Sequence, residues 1–137
     1  MSEELHIAAK VENLDQVLAF LEEYLDQQGC SMRTHMQLAV AVEEIYVNIA
    51  HYAYVDNEGE GDADIRLHMD GRTLEITFID SGIPYDPLAK PDPDVTLPVE
   101  ERQIGGLGIF MVKKSMDDVK YERKDGQNIL TLYKSID

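Results

Sequence analysis

The sequence predicts an α+β domain, with helices packed on one face of a mixed, mainly antiparallel sheet. Three observations carry that prediction. Two tight-turn dipeptides, Asp70-Gly71 and Asp125-Gly126, each sit between short runs of alternating apolar residues, the pattern of a β-hairpin. Two segments of helical period follow one another in the first half of the chain, with no strand between them. Neither GxGxxG after a strand nor a GxxxxGKS/T loop is present, which argues against the common parallel nucleotide-binding folds.

Each element has its own justification. Leu5, Ile7 and Ala9 alternate with polar residues and predict a first strand. Asn13 is placed to cap a helix over 14–28, whose Leu14, Val17, Leu18, Leu21 and Leu25 recur at helical spacing. Gly29 stands where a left-handed residue ends such a helix. Ser31 is placed to cap a second helix running to about residue 53. Its apolar stripe is Leu38, Val42, Ile45 and Ile49. Residues 56–64 (DNEGEGDAD) read as a turn. Ile65, Leu67 and Met69, then Leu74, Ile76 and Phe78, form the arms of the first hairpin. All five prolines fall in 81–104, a stretch long enough to suggest a functional lid. A short helix over 108–116 precedes the second hairpin, with Val119 and Tyr121 on one arm and Ile129, Thr131 and Tyr133 on the other.

Composition and charge narrow the function. A chain of 137 residues with 44% hydrophobic and 28% charged residues is expected to fold as one domain, 1–137. One cysteine, Cys30, excludes an internal disulfide framework. No run of about 18 apolar residues is present, and the N-terminus does not read as a signal peptide, so the expected location is the cytoplasm. The net charge of −15 disfavours direct nucleic-acid binding and an anionic membrane surface. The acid is unevenly spread. Residues 1–30 carry −6 and 56–64 carry −5, whereas 105–137 carry +1. A phosphate-bearing ligand is therefore best received near the C-terminal third.

Three constellations could do chemistry. On the second helix Glu44 and Asn48 lie about 40° apart at 100° per residue, on the flank of the buried stripe, and His51 follows one turn on. Glu43 points towards solvent. A carboxylate there can take a proton, and an amide oxygen can ligate a hard cation such as Mg²⁺. Asp80 ends a strand just before Ser81-Gly82-Ile83-Pro84, where a carboxylate can accept from a base's exocyclic amine and Gly82 can let a flat ring approach. Gly105-Gly106-Leu107-Gly108 runs into an apolar helix, whose first N–H groups and dipole suit an anion. His6, His35 and His68 lack metal-ligand spacing, with His6 and His68 at solvent-facing phases of their strands.

In this order and register the three segments LAVAVEEIYVNIAHYAY, ITFIDSGIPYDP and GGLGIFMVKKSMDDVKYE resemble the N, G1 and G2 boxes of the GHKL ATP-binding superfamily, and within it the anti-sigma-factor serine kinases of bacteria. The likeness runs from about residue 5 to 134. It implies a Bergerat ATP-binding fold with ATP and Mg²⁺ as cofactors. By that resemblance Asn48 would hold Mg²⁺, Asp80 would bind the adenine amino group with Gly82 beside the ring, and Gly106 and Gly108 would face the phosphates. Thr131 would set a hydroxyl beside adenine, 86–104 would be the ATP lid, and Glu44 would be the general base for an incoming serine or threonine. Arg102 stands just before the glycines, within reach of the γ-phosphate or of solvent.

The implied activity is a serine/threonine-protein kinase that phosphorylates a STAS-type anti-anti-sigma protein and regulates a sigma factor, with a PP2C-type phosphatase in the same pathway and a homodimer as the working form. The alternative is an ATP-binding partner-switching module without phosphotransfer. A sensor histidine kinase is disfavoured because too little chain precedes the Glu44 segment for a phosphoacceptor hairpin. The sequence departs from many relatives at Tyr52, where they carry a histidine, and in lacking a second glycine after Gly82.

Overall fold

The computed structural model describes residues 2–58, 60–89 and 106–136. Five strands form one sheet: β1 (Ser2–Ala8), β2 (Asp62–Asp70), β3 (Thr73–Asp80), β4 (Asp118–Lys124) and β5 (Gln127–Ser135). Their spatial order is β1-β2-β3-β5-β4, and all four pairings are antiparallel. Three helices, α1 (Leu14–Gln28), α2 (Met32–Asn48) and α3 (Gly106–Ser115), complete the α+β architecture. Their buried residues join one face of the sheet in a single core.

Strand alternation sets the two faces. Ile7, Ala63, Ile65, Leu67, Leu74, Ile76, Phe78, Leu130 and Leu132 are buried towards the helices. The residues between them, such as His6, Asp64, Arg66, Glu75, Thr77 and Thr131, take the other face. His6 and His68 are exposed there, as expected.

The helix ends have identifiable causes. Gly29 has φ 70°, and its N–H reaches the Leu25 carbonyl, so the expected stop is real. The Ser31 side chain accepts from the Thr34 N–H at 3.3 Å. Asn13 behaves differently from expectation. A 3-10 turn over Val11–Asn13 feeds α1, and the Asn13 amide donates backwards to the Ala8 carbonyl at 3.0 Å. It ties the helix start to β1 and does not cap α1.

The two Asp-Gly turns are used in different registers. Asp125 (φ 52°) and Gly126 (φ 78°) are both central residues, the requirement of a type I′ turn. Asp70 instead closes β2 opposite Thr73, and Gly71 (φ 64°) takes the first central position.

After Asn48 the helix does not continue unchanged. Ile49–Ala53 widen into a π-helical turn, a feature that recurs at functional sites. This turn sends the Ala53 carbonyl towards the chain after β3, where it accepts from the Ile83 N–H at 2.8 Å. Of the expected lid, Pro87–Ala89 form a 3-10 turn. Residues 90–105, including Arg102 and Gly105, lie outside the described residues.

Candidate functional site

A cleft opens between α2 and the helix-facing side of β3 and β5. Ile45 and Ile49 of α2, Phe78 of β3 and Leu130 of β5 give it apolar walls. Asn48, Asp80 and Asn128 supply polar groups, and the rings of Tyr85 and Tyr121 close its side. Flat apolar walls with a few fixed polar atoms suit a planar heterocycle.

Asp80 is the last residue of β3 and only 6% exposed. A buried carboxylate needs hydrogen bonds to be tolerated. One oxygen, Oδ1, accepts from the Gly82 N–H and from Asn128 Nδ2, each at 2.9 Å. Asn128 stands directly opposite Asp80 in the β3–β5 register. Tyr54 braces the same corner. Its hydroxyl accepts from the Ser81 N–H at 2.9 Å and donates to the Asp62 carbonyl at 2.5 Å. Burial, with Asp80 and Asp62 nearby, pushes the Tyr54 phenol up, although the bonds to Ser81 and Asp62 pull it down, so it remains a neutral donor. Arg123 of β4 donates to the Gly82 carbonyl at 2.8 Å.

Gly82 also has a reason within the fold itself. A Cβ there would lie 2.1 Å from the Ala53 carbonyl oxygen. Two backbones therefore meet at Gly82, whose missing side chain admits the π-helical turn of its own chain.

The other end of the cleft is built by α2 and α3. Asn48 lines the wall, half-buried. Glu44, one turn earlier, is also half-buried, whereas Glu43 is exposed, as the helical phase requires. Gly106 is the first residue of α3 and Gly108 the third. A Cβ on Gly108 would stand 2.1 Å from Glu44 Oε2, so the glutamate carboxylate rests against the first turn of α3. That turn carries the positive end of a helix dipole, and its first N–H groups have no partner within the helix. His51 is exposed in the π-helical turn, and the Tyr52 ring lies 6.4 Å from that of Tyr85.

The structure thus brings Glu44, Asn48, Asp80, Gly82, Gly106 and Gly108 around one region. It does not bring Thr131 there. Thr131 pairs with Thr77, and their hydroxyls are 3.4 Å apart on the face of the sheet away from the helices. Strand parity is the cause: Asn128 and Leu130 point into the cleft, so Thr131 cannot. Asn128 is the residue sequence reasoning missed. The missed signal was the pairing of Asp80 with Asn128, which needs the register of β3 against β5.

The Asn48 carboxamide oxygen is a hard donor of the kind that would suit a Mg²⁺ ion. Among the described residues no group of three or more His, Cys, Asp or Glu could hold a metal alone. Any such ion would therefore need ligands from outside these side chains.

Residues 7–134 match the histidine kinase-like ATPase domain family. The chain is 31% identical over 132 residues to a serine-protein kinase RsbW of Oceanobacillus iheyensis, spanning 93% of this chain and 82% of that one. It is 28% identical over 131 residues to a serine-protein kinase RsbW of Bacillus cereus, spanning 93% and 81%. Among solved structures, the RsbU and RsbW domains of a Mycobacterium tuberculosis protein align with a TM-score of 0.68 at 17% identity. That alignment covers 98% of this chain and 32% of the longer one, and it supports the fold. No helix among the described residues is long and apolar enough to cross a membrane.

Proposed function

The chain belongs to the histidine kinase-like ATPase domain family, and from that membership we propose that it is an ATP-dependent serine/threonine-protein kinase of the anti-sigma-factor type. Its substrate is a STAS-type anti-anti-sigma protein, and the kinase alternately sequesters a sigma factor, with a PP2C-type phosphatase in the same pathway. ATP lies with adenine against Asp80 and its phosphates towards Gly106 and Gly108. Mg²⁺ when bound supplies charge shielding between phosphate oxygens, and Asn48 is the side chain that holds it.

Phosphoryl transfer asks mainly for positioning and electrostatic stabilisation, with one group to orient the nucleophile. Here the substrate hydroxyl oxygen forms a bond to the γ-phosphorus, the bond from that phosphorus to the β,γ-bridging oxygen breaks, and ADP leaves. Glu44 accepts the hydroxyl proton. The observation that carries this reading is the Glu44 carboxylate lying against the first turn of α3. A base there is within reach of whatever attacks a phosphate held at that helix end. The −15 net charge supports a basic protein partner such as a sigma factor.

The test is incubation with γ-labelled ATP, Mg²⁺ and a cognate STAS protein. Wild type is expected to yield phosphoserine or phosphothreonine. Glu44→Gln is expected to lower the transfer rate by 10²-fold or more, with ATP affinity within about twofold of wild type. Undiminished transfer by the variant overturns the role of Glu44. ATP binding without any transfer by wild type leaves a partner-switching module in place of a kinase.

A further inference from the structure

Asn128 is a buried amide, 6% exposed, with its whole hydrogen-bonding capacity in use. Its Nδ2 donates to Asp80 Oδ1 at 2.9 Å and to the Ile83 carbonyl at 2.8 Å. Its Oδ1 accepts from the Tyr121 hydroxyl at 2.5 Å and from the Tyr85 N–H at 3.3 Å. An asparagine amide has two donors and two acceptor lone pairs, so four partners saturate it. They also fix its orientation. A flipped amide would set its oxygen against a carboxylate and a carbonyl, and its NH₂ against a backbone N–H.

The consequence falls on Asp80. Its Oδ1 is held from two sides, by Asn128 and by the Gly82 N–H. With one oxygen pinned, the carboxylate plane is set, and Oδ2 is the atom left for a ligand in the cleft that Asp80 lines. Without Asn128 the Asp80 side chain could rotate and present either oxygen, or neither, to the base.

We propose that Asn128 is a positioning residue for nucleobase recognition: it holds Asp80 so that Oδ2 meets an exocyclic amine, and it thereby sets the preference for a 6-amino purine. Tyr121 acts one step further out, by anchoring the Asn128 oxygen. This rests on the nucleotide reading of the cleft given above. Discrimination of this kind is strong because a buried polar group left without its partner costs more than the hydrogen bond itself contributes.

The experiment compares the affinity of the full chain for ATP and for purine riboside triphosphate, which lacks only the 6-amino group. Wild type is expected to favour ATP by about tenfold or more. Asn128→Leu is expected to weaken ATP by about that factor and to leave the analogue within about twofold, so that the preference collapses. A merely structural role would weaken both nucleotides together and leave the ratio intact; that result overturns the proposal. Thermal unfolding of the variant is followed in parallel. Should Asn128→Leu not fold, Tyr121→Phe removes only the hydroxyl anchoring Asn128. It is expected to lower the ratio in the same direction by about threefold, and an unchanged ratio in that variant also overturns the proposal. Failure of the underlying reading looks different, because wild type itself would then bind neither nucleotide.

Discussion

The two ends of the cleft are built on opposite plans. At the Asp80 end, Asp80 and Asn128 come from neighbouring strands in the middle of the sheet, are nearly fully buried, and bond to each other, to Gly82 and to Tyr121, while Tyr54 braces the adjoining Ser81. At the Glu44 end they come from two helices and are half-buried. Neither Glu44 nor Asn48 is engaged in a side-chain hydrogen bond among the described residues. On the proposed function, the difference follows from what each end would meet. A flat base offers one fixed pattern of donors and acceptors, so a rigid and saturated wall recognises it best. The other end would have to admit changing charge, a metal ion and a protein hydroxyl. Groups kept available for that cannot be fully buried, since an unpaired buried polar group costs roughly 1–3 kcal/mol.

One substitution made at both ends tests this contrast most directly. Alanine at Gly82 would put its Cβ 2.1 Å from the Ala53 backbone oxygen, and alanine at Gly108 would put it 2.1 Å from Glu44 Oε2. The clash distances match, but the obstacles differ. The Ala53 carbonyl is fixed by the π-helical turn and by its bond from Ile83, whereas a glutamate carboxylate can swing away. Gly82→Ala is expected to destabilise the fold by about 2–3 kcal/mol or more, read as a large fall in the denaturation midpoint. Gly108→Ala is expected to leave stability within about 1 kcal/mol of wild type, because alanine also improves the helix. It should slow phosphotransfer by displacing the base. Equal losses of stability would mean that both ends are equally rigid and would break the comparison.

A smaller effect is expected at Asn48. Asn48→Ala removes a side chain that no described neighbour holds, so the fold should keep its melting temperature within a few degrees. The dependence of ATP affinity on Mg²⁺ should fall by about tenfold, a magnitude typical of a lost metal ligand or its support. Titration of ATP with and without Mg²⁺ checks it. A variant that unfolds would show that Asn48 is part of the saturated wall after all.

The same contrast explains what could be read without a structure. Glu44 and Asn48 were legible because one helix places both, and helical phase is fixed by 100° per residue. The boundaries of α1, the Ser31 cap, the Gly29 stop and both hairpins were legible for the same reason, each being a local signal. The Asp80 end depends on pairing between distant strands. In β5 both parities carry apolar residues, Ile129 and Tyr133 on one and Leu130 and Leu132 on the other. Alternation therefore cannot decide which parity faces the helices, and the resemblance that implies Thr131 does not settle it either; Asn128 is the residue of β5 that lines the cleft with Leu130. The close approach of Ala53 to Gly82 depends on the π-helical turn. Nothing local in IAHYA announces the widened turn.

The sheet also offers a control on its outer face. Asp64 follows Ala63, the residue paired with Asp80, and points the opposite way. There it bonds His6 Nδ1 across β1 and β2, while His6 Nε2 lies 3.2 Å from Asp62 Oδ2. Two carboxylates on the two ring nitrogens require both nitrogens to be donors, hence an imidazolium. The His6 pKa is accordingly raised above 6.5, chiefly by the Asp64 hydrogen bond and then by that of Asp62. A pKa higher in the folded state means that the contribution to stability is complete below about pH 6.5. It is lost as pH rises through the raised folded value. The site is exposed, so the effect should be small and should shrink in high salt. NMR titration of the His6 ring should give a value above 6.5 that moves back towards 6.5 in Asp64→Asn. ATP affinity in that variant should equal that of wild type, because Asp64 faces away from the cleft. A value at or below 6.5 would remove the clamp. A loss of ATP affinity would show that the saturated wall extends through the sheet to its other face and is not confined to the ring of residues around Asp80.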